Sequence, residues 1–537
     1  MSSVREKVLE QYSSRVYKNR KEHVIAIGEH EKDVVTANTR AIPGIITQRG
    51  CCFAGCKGVV LGPIKDAAII VHGPIGCAYY SWGTRRHKAV ADEKNGEKAD
   101  CYLEYCFSTD MQESDIVFGG EKKLKKAIEE VVGLIHPKCI FICSTCPVGL
   151  IGDDIHAVAK WAQEEYEIKC IAFSCEGYKG VSQSAGHHIA NNQLIRYIIG
   201  TGDHQPEKKY SVNVLGEYNI GGDGWEVEKI LKRCGIEVVS VFTGSGSYRD
   251  IKNAHTASLN LVQCHRSINY VADMMKDKYG MDWIKVNFIG IESCKKSLRD
   301  IGEYFGDEEL KARIEAVIAD EEDAIRDEVE YYESKLKGKT AALYVGGSRS
   351  HHYQLLLKDF GISTVLAGYE FAHRDDYEGR EVIPDIKPDA DSKNIESIEV
   401  EADPKFYRVY MTDEQKAALE EKGVKINYYE GMFKGMDEGA IICDDLNHFE
   451  TEEFMKILKP DIFFSGIKDK FVAQKSGMLS RQLHSYDYSG PYAGFRGAVN
   501  FGRDLVMGLY TPAWSYVKAP WKDTPCIEGT LGGDEAC

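Results

Sequence analysis

No run of about 18 apolar residues, the length a helix needs to span a bilayer, occurs in the 537-residue chain. The stretch from Met1 to Lys18 is charged and has no apolar h-region of the kind a secretory leader carries. The expectation is a cytoplasmic protein, neither exported nor membrane-spanning. Positive charge is scarce as well: 67 Lys and Arg stand against 83 Asp and Glu, a formal charge of -16. A nucleic-acid surface needs clustered Lys and Arg, so partners are expected among proteins and small molecules.

Several catalytic signatures are missing. Neither G-x-S-x-G nor H-E-x-x-H occurs, which removes the usual serine-hydrolase and zinc-protease patterns. Gly338-Lys339-Thr340 has the look of a P-loop end, but Glu333 stands where the first glycine belongs and a strand follows, so ATP is not expected to bind that way. Cys143 and Cys146 form C-x-x-C without the second pair of a zinc ribbon, and Cys143 is expected in a strand core. Cys51, Cys52 and Cys56 approximate C-x4-C of a plant-type ferredoxin but lack its C-x2-C continuation, so at most one of them is expected to bind metal.

What is present is a globular composition, 43% hydrophobic and 28% charged, at a length that suggests about three domains. Strand, loop and helix alternate. The first series comprises strand 67–71, loop HGPIGC to Cys77, strand 139–143, a helix with Ile155, Val158, Ala159 and Ala162 on one face, and strand 170–174. Asp153 or Asp154 can cap that helix. A second series runs through strands 211–215, 236–242 and 258–262, and a charged helix over 307–337 leads to a third with strands 341–345, 363–367 and 461–464. This alternation predicts an α/β protein of three Rossmann-like domains with doubly wound, mostly parallel sheets, divided as 1–208, 209–335 and 336–537. The acidic segment 378–430, with a capping box at Thr412 to Gln415, is expected to be a surface insertion in the third.

Ligands in such sheets bind beyond the carboxyl ends of strands, where Cys77, Cys146 and Cys264 recur. The cysteines number 17, and any one alone is more often an inert buried thiol. Gly-rich segments around Cys51 and Cys77 (QRGC, GPIGC) let backbone approach a bulky cluster, although each alone also fits a tight turn. His187-His188, His351-His352 and His484 are individually open to structural as well as catalytic readings.

Taken together, the strings ITQRGC, HGPIGC, FSTDMQESDIVFGG, STCPVGLIGDD, CEGYKGVSQSAGHHIAN, NLVQCHRSINY, YVGGSRS, GYEFAHRDDY and HSYDYSGPYAGF resemble the alpha chains of nitrogenase molybdenum-iron proteins, over nearly the whole chain. The insertion resembles that of the clostridial subgroup. The resemblance implies that Cys51, Cys77 and Cys146 ligate an 8Fe-7S P-cluster shared with a homologous beta chain. It implies an iron-molybdenum-sulfur cofactor with homocitrate, held by Cys264 on iron and His484 on molybdenum. Val59, Arg85, Gln183, His187, Arg349, Phe371 and Lys468 would surround it: the cations beside an anionic cluster, Val59 shielding an iron face, His187 delivering protons. Gln183 remains equally open to a structural role.

Activity implied in this way is reduction of dinitrogen and protons in an alpha2-beta2 complex, with electrons from a separate ATP-hydrolysing iron protein, and without nucleic-acid or membrane partners. Metal clusters would lie between domains and at the beta-chain contact. Ala493, and Ser348 and Ser350 around Arg349, depart from many relatives and bear on cofactor packing. A cofactor-assembly scaffold, a reductase of the protochlorophyllide type and a vanadium-type alpha chain are the alternatives. The Cys264 and His484 pair weighs against the first two, and the GGSRS and YEFAHRDDY segments against the third.

Overall fold

The computed structural model describes residues 4–21, 24–26, 50–83, 88–179, 183–264, 268–345, 348–369, 417, 436–444, 446–466, 470–475 and 477–511. Three α/β sheets organise them, together with a small hairpin. In the first, strands Phe107–Ser108, Ala67–His72, Cys139–Ser144 and Lys169–Phe173 lie side by side, all parallel. Runs such as AAIIVH and CIFICS are almost wholly buried because helices cover both faces.

Alternate strand residues divide between those faces. Ala68, Ile70, Ile140 and Ile142 pack under helices Glu121–Ile135 and Ile155–Tyr166, while Phe141, Cys143 and Phe173 face a core shared with the second sheet. The Asp154 carboxylate caps the second helix, accepting the Ala157 N–H at 2.9 Å.

The second sheet, ordered Trp283–Lys285, Leu259–Val262, Ser211–Glu217 and Glu237–Thr243, is parallel throughout. Leu215, Val239 and Val262 on one face join the core of the first sheet, and Val212, Val214 and Leu261 on the other join that of the third. It is therefore the middle layer. Helix Glu308–Leu336, capped by Asp307, leads to the third sheet and packs against the last helix, Gly494–Tyr510.

The third sheet runs Val24–Ala26, Ile441–Asp444, Ser363–Tyr369, Thr340–Val345, Ile462–Ser465 and Leu479–Gln482. Only its first strand is antiparallel. The span 1–208 thus contributes its leading strand to the third sheet. Two loops expected from the sequence are corrected. Helix Ile75–Gly83 begins before Cys77, and helix Ser348–Asp359 takes in the SRS of GGSRS. In the first place only Gly73 and Pro74 separate the strand from the helix, and a Cβ on Gly73 would clash with the Thr145 side chain. Segment 378–430, with its capping box, lies outside the described residues apart from position 417. Among the described residues no helix is long and apolar enough to cross a membrane.

One half-buried carboxyl in this frame makes stability depend on pH. Asp359, at the end of helix Ser348–Asp359, accepts the Ile291 N–H at 2.6 Å, and burial pushes its pKa from 3.8 up to about 7. Between those values the folded chain keeps a proton that the unfolded chain has released. The destabilisation is therefore absent in acid, grows above about pH 4 and is complete above about pH 7. Asp359→Asn, which can still accept the Ile291 N–H, is expected to raise the melting temperature at pH 8 and to leave it unchanged at pH 4. Equal shifts at the two pH values would contradict the assignment.

Candidate metal centres

Cys51, Cys77 and Cys146 come from three separate segments and converge at the carboxyl end of the first sheet. Cys51 precedes the π-helix Ala54–Leu61, Cys77 lies in the first turn of Ile75–Gly83, and Cys146 opens helix Cys146–Ile151. A Cβ added at Gly177 would stand 3.0 Å from the Cys146 Sγ and 3.4 Å from the Cys51 Sγ, so this glycine leaves the space between two thiols open. Burial first, then the neighbouring Cys146 and Cys51 sulfurs, push the Cys77 thiol above its ordinary value. A bound cation reverses that effect by favouring thiolates.

Cys51 and Cys77 are exposed and Cys146 is half-buried. Ile75, Tyr80, Leu150 and Tyr178 around them expose between 48% and 77% of their surface. Cys52 and Cys56, by contrast, are buried in the core, and burial holds the Cys52 thiol at about 12 and that of Cys56 well above its ordinary value. Cys143 is buried in its strand, as its place in an apolar run predicts. Among the described residues no three His, Cys, Asp or Glu side chains gather tightly enough for a single ion. Spaced thiols around a glycine cradle suit a polynuclear iron-sulfur group, for which thiolate is the usual ligand.

The segments bearing Cys77 and Cys146 are pinned by groups to which the sequence assigned no such role. The Thr145 hydroxyl donates to the His72 carbonyl at 2.9 Å, and a Cβ on Gly73 would fall 1.9 Å from that hydroxyl. The His72 ring bridges Asp153 (Nε2 to Oδ2, 3.0 Å) and Thr109 (Nδ1 to Oγ1, 3.0 Å), and Asp153 also accepts the Gly120 N–H. Burial holds His72 below the ordinary imidazole range despite the carboxylate, so a neutral ring donates to Asp153 and accepts from Thr109. Asp153 is thus a tether between segments, and Asp154 alone serves as the helix cap. His72 opens the string HGPIGC and Asp153 is next to last in STCPVGLIGDD, the signal that could have marked them.

A second set of candidates begins beside the first. The π-helix Ala54–Leu61 lies against helix Gln183–Tyr197 with backbones in contact: a Cβ on Gly55 would be 1.9 Å from the Gln183 carbonyl, and one on Gly186 2.0 Å from that of Cys52. Val59 on the former and Gln183 on the latter line one cavity of about 110 Å³ with Lys57 and Trp82. His187 is buried one turn on, and the Tyr270 hydroxyl donates to its carbonyl at 3.3 Å. Neither the π-helix nor this glycine contact was foreseen, since AGCKG and SAGHH read equally well as ordinary helix.

Cys264 follows the second-sheet strand Leu259–Val262. Gly216, with φ of +80°, abuts it so closely that a Cβ would lie 2.4 Å from the Cys264 Cβ. His484 follows the third-sheet strand Leu479–Gln482 and is partly buried. The next ordered turn is unusual: Tyr486, Asp487 and Tyr488 have φ of 51°, 52° and 65°. Such conformations cost about 1 kcal/mol or more for non-glycine residues and persist where surroundings impose them. Arg85, Phe371 and Lys468, and the side chain of Arg349, lie outside the described residues.

The family model for nitrogenase component 1 type oxidoreductases matches residues 51–510. A nitrogenase molybdenum-iron protein alpha chain from Clostridium pasteurianum is 56% identical over 535 residues, covering 99% of both chains. Its counterpart from Methanosarcina barkeri is 52% identical, over 96% of this chain and 95% of that one, and that from Klebsiella pneumoniae 39% identical over 96% of each. The solved structure of nitrogenase Cp1 at pH 6.5 superposes with a TM-score of 0.85 at 56% identity, covering 97% of this chain and 100% of that one. With the glycine-cradled thiols, the buried His187 and end-to-end similarity of this extent, the chain belongs to the nitrogenase component 1 type oxidoreductases.

Proposed function

We propose that the chain is the catalytic alpha subunit of a molybdenum-dependent nitrogenase, which reduces dinitrogen to ammonia and protons to hydrogen. The convergence of Cys51, Cys77 and Cys146 at an exposed apolar face carries the reading. Half-exposed thiols are what a chain contributes to a cluster completed by a partner, here the beta chain of an alpha2-beta2 complex. These three cysteines would hold the 8Fe-7S P-cluster, which supplies one-electron transfer when bound. Electrons would reach it from an ATP-hydrolysing iron protein, consistent with the imperfect P-loop match at Gly338-Lys339-Thr340.

Cys264 and His484 would anchor the iron-molybdenum cofactor with homocitrate, thiolate suiting iron and imidazole the heavier metal. Arg85, Arg349 and Lys468 would balance negative charge, with the guanidinium fork suited to carboxylate contacts. Val59 and Phe371 would restrict access to the cluster face. Gln183 would orient against the Gly50 and Gly55 backbone. His187, buried in helix Gln183–Tyr197, would hold and move a proton on its ring. The division 1–208, 209–335 and 336–537, with insertion 378–430, and a cytoplasmic location complete the reading. A cofactor-assembly scaffold and a vanadium-type chain are not favoured by relatives named as molybdenum-iron alpha chains.

Elemental analysis of the anaerobically purified native complex tests this: molybdenum and iron without vanadium are expected, and vanadium in place of molybdenum would overturn it. His187→Gln is expected to keep molybdenum bound while shifting electrons from ammonia toward hydrogen. Undiminished ammonia formation by that variant would remove His187 from proton delivery.

A further inference from the structure

The turn after His484 is held by a carboxylate from another part of the fold. Asp223 begins helix Asp223–Arg233, which belongs to the second sheet, and is fully buried. Its Oδ2 accepts the Tyr486 hydroxyl. Its Oδ1 accepts the backbone N–H of Tyr492 at 2.7 Å and of Ala493 at 2.9 Å. One side chain thereby grips both ends of the segment that leaves His484. The Tyr353 and Tyr486 hydroxyls are also hydrogen-bonded to each other.

The grip is close-fitting. The Tyr486 ring lies 4.2 Å from the Tyr492 ring, centroid to centroid, and the Tyr492 hydroxyl donates to Asp504 at 2.8 Å. Gly221, two residues before Asp223, has φ of +62°, and a Cβ there would come within 2.6 Å of the Tyr486 ring. A Cβ on Gly490 would come within 2.7 Å of the same ring. Three consecutive left-handed residues, Tyr486 to Tyr488, would relax toward ordinary φ if nothing held them. Releasing them would turn the chain at His484, two residues upstream of Tyr486.

We propose that Asp223 is a positioning residue for His484: its buried carboxylate, reaching across from the second sheet, sets the turn that aims the imidazole before any metal is bound. The inference rests on the proposed function, since His484 is taken there as a cofactor ligand. Asp223 acts through Tyr486 and two backbone amides. Its effect is pre-organisation, which stabilises ligation by removing the need to order the turn on binding.

The test uses the full complex with its partner chain, purified anaerobically as wild type, Asp223→Ala and Tyr486→Phe. Asp223→Ala is expected to carry about tenfold less molybdenum per complex with the P-cluster signal retained, a loss typical of an orienting partner. The paramagnetic line shape of the residual iron-molybdenum group is expected to change. Tyr486→Phe, which loses a hydroxyl and keeps both amide bonds, is expected to fall between wild type and Asp223→Ala. In cofactor-free protein, amide exchange at Tyr492 and Ala493 is expected to accelerate in Asp223→Ala. Full molybdenum with an unchanged line shape in Asp223→Ala would overturn the proposal, as would parallel loss of both centres in Tyr486→Phe. Wild type without molybdenum would instead overturn the proposed function, and amide exchange would still decide whether Asp223 holds the turn.

Discussion

Cys77→Ala is expected to lose the P-cluster, lower nitrogenase activity by about two orders of magnitude or more, and weaken assembly with the beta chain. Cys77 is an exposed thiol in the first turn of its helix, so the substitution creates no cavity and leaves the first sheet's core intact. A fold defect is therefore not the expected cause of any loss. Cys51 and Cys146 remain beside Gly177, but on the proposed reading the cluster takes three thiols from this chain, and two would not close it. Circular dichroism should stay unchanged while the iron-sulfur absorption and its redox titration disappear. An intact cluster with unchanged redox behaviour would sink the assignment.

Cys264→Ala should separate the two centres. The residue stands past the end of a second-sheet strand against Gly216, whereas the thiol trio belongs to the first sheet, so iron-sulfur signals of the P-cluster should persist. Molybdenum should fall to background and ammonia formation with it, because a single imidazole at His484 cannot hold a large cluster from one end. His484→Ala should give the same split. Normal molybdenum in the Cys264 variant would refute the anchor. Loss of both centres together would show that the two sites fold as one.

Much of the architecture was legible along the chain. The runs AAIIVH and CIFICS, the cap at Asp154 and the charged helix over 307–337 are local events, set by side-chain size, periodicity and turn chemistry. Their structural counterparts lie within a few residues of the expected bounds. The start of helix Ile75–Gly83 was missed because HGPIGC, with two glycines and a proline, suits a loop as well as a sharp strand-to-helix turn. The edge strand Val24–Ala26 was missed because three residues carry no readable period, and its partner Ile441–Asp444 is over 400 positions away.

The sequence by itself determined the parallel α/β class, the buried state of Cys143 and, through its long matched strings, the family. Those follow from hydrophobic pattern and residue identity, which are properties of the chain taken in order. Only the tertiary structure decided that Cys51 and Cys146 meet at Gly177 with Cys77 nearby, that Asp153 tethers His72 while its neighbour caps a helix, and that Asp223 grips the turn after His484. Each of these depends on hydrogen bonds or backbone contacts between segments tens to hundreds of residues apart. Such contacts are short-ranged in space and leave no periodic trace in sequence, so they exist only once the sheets have packed.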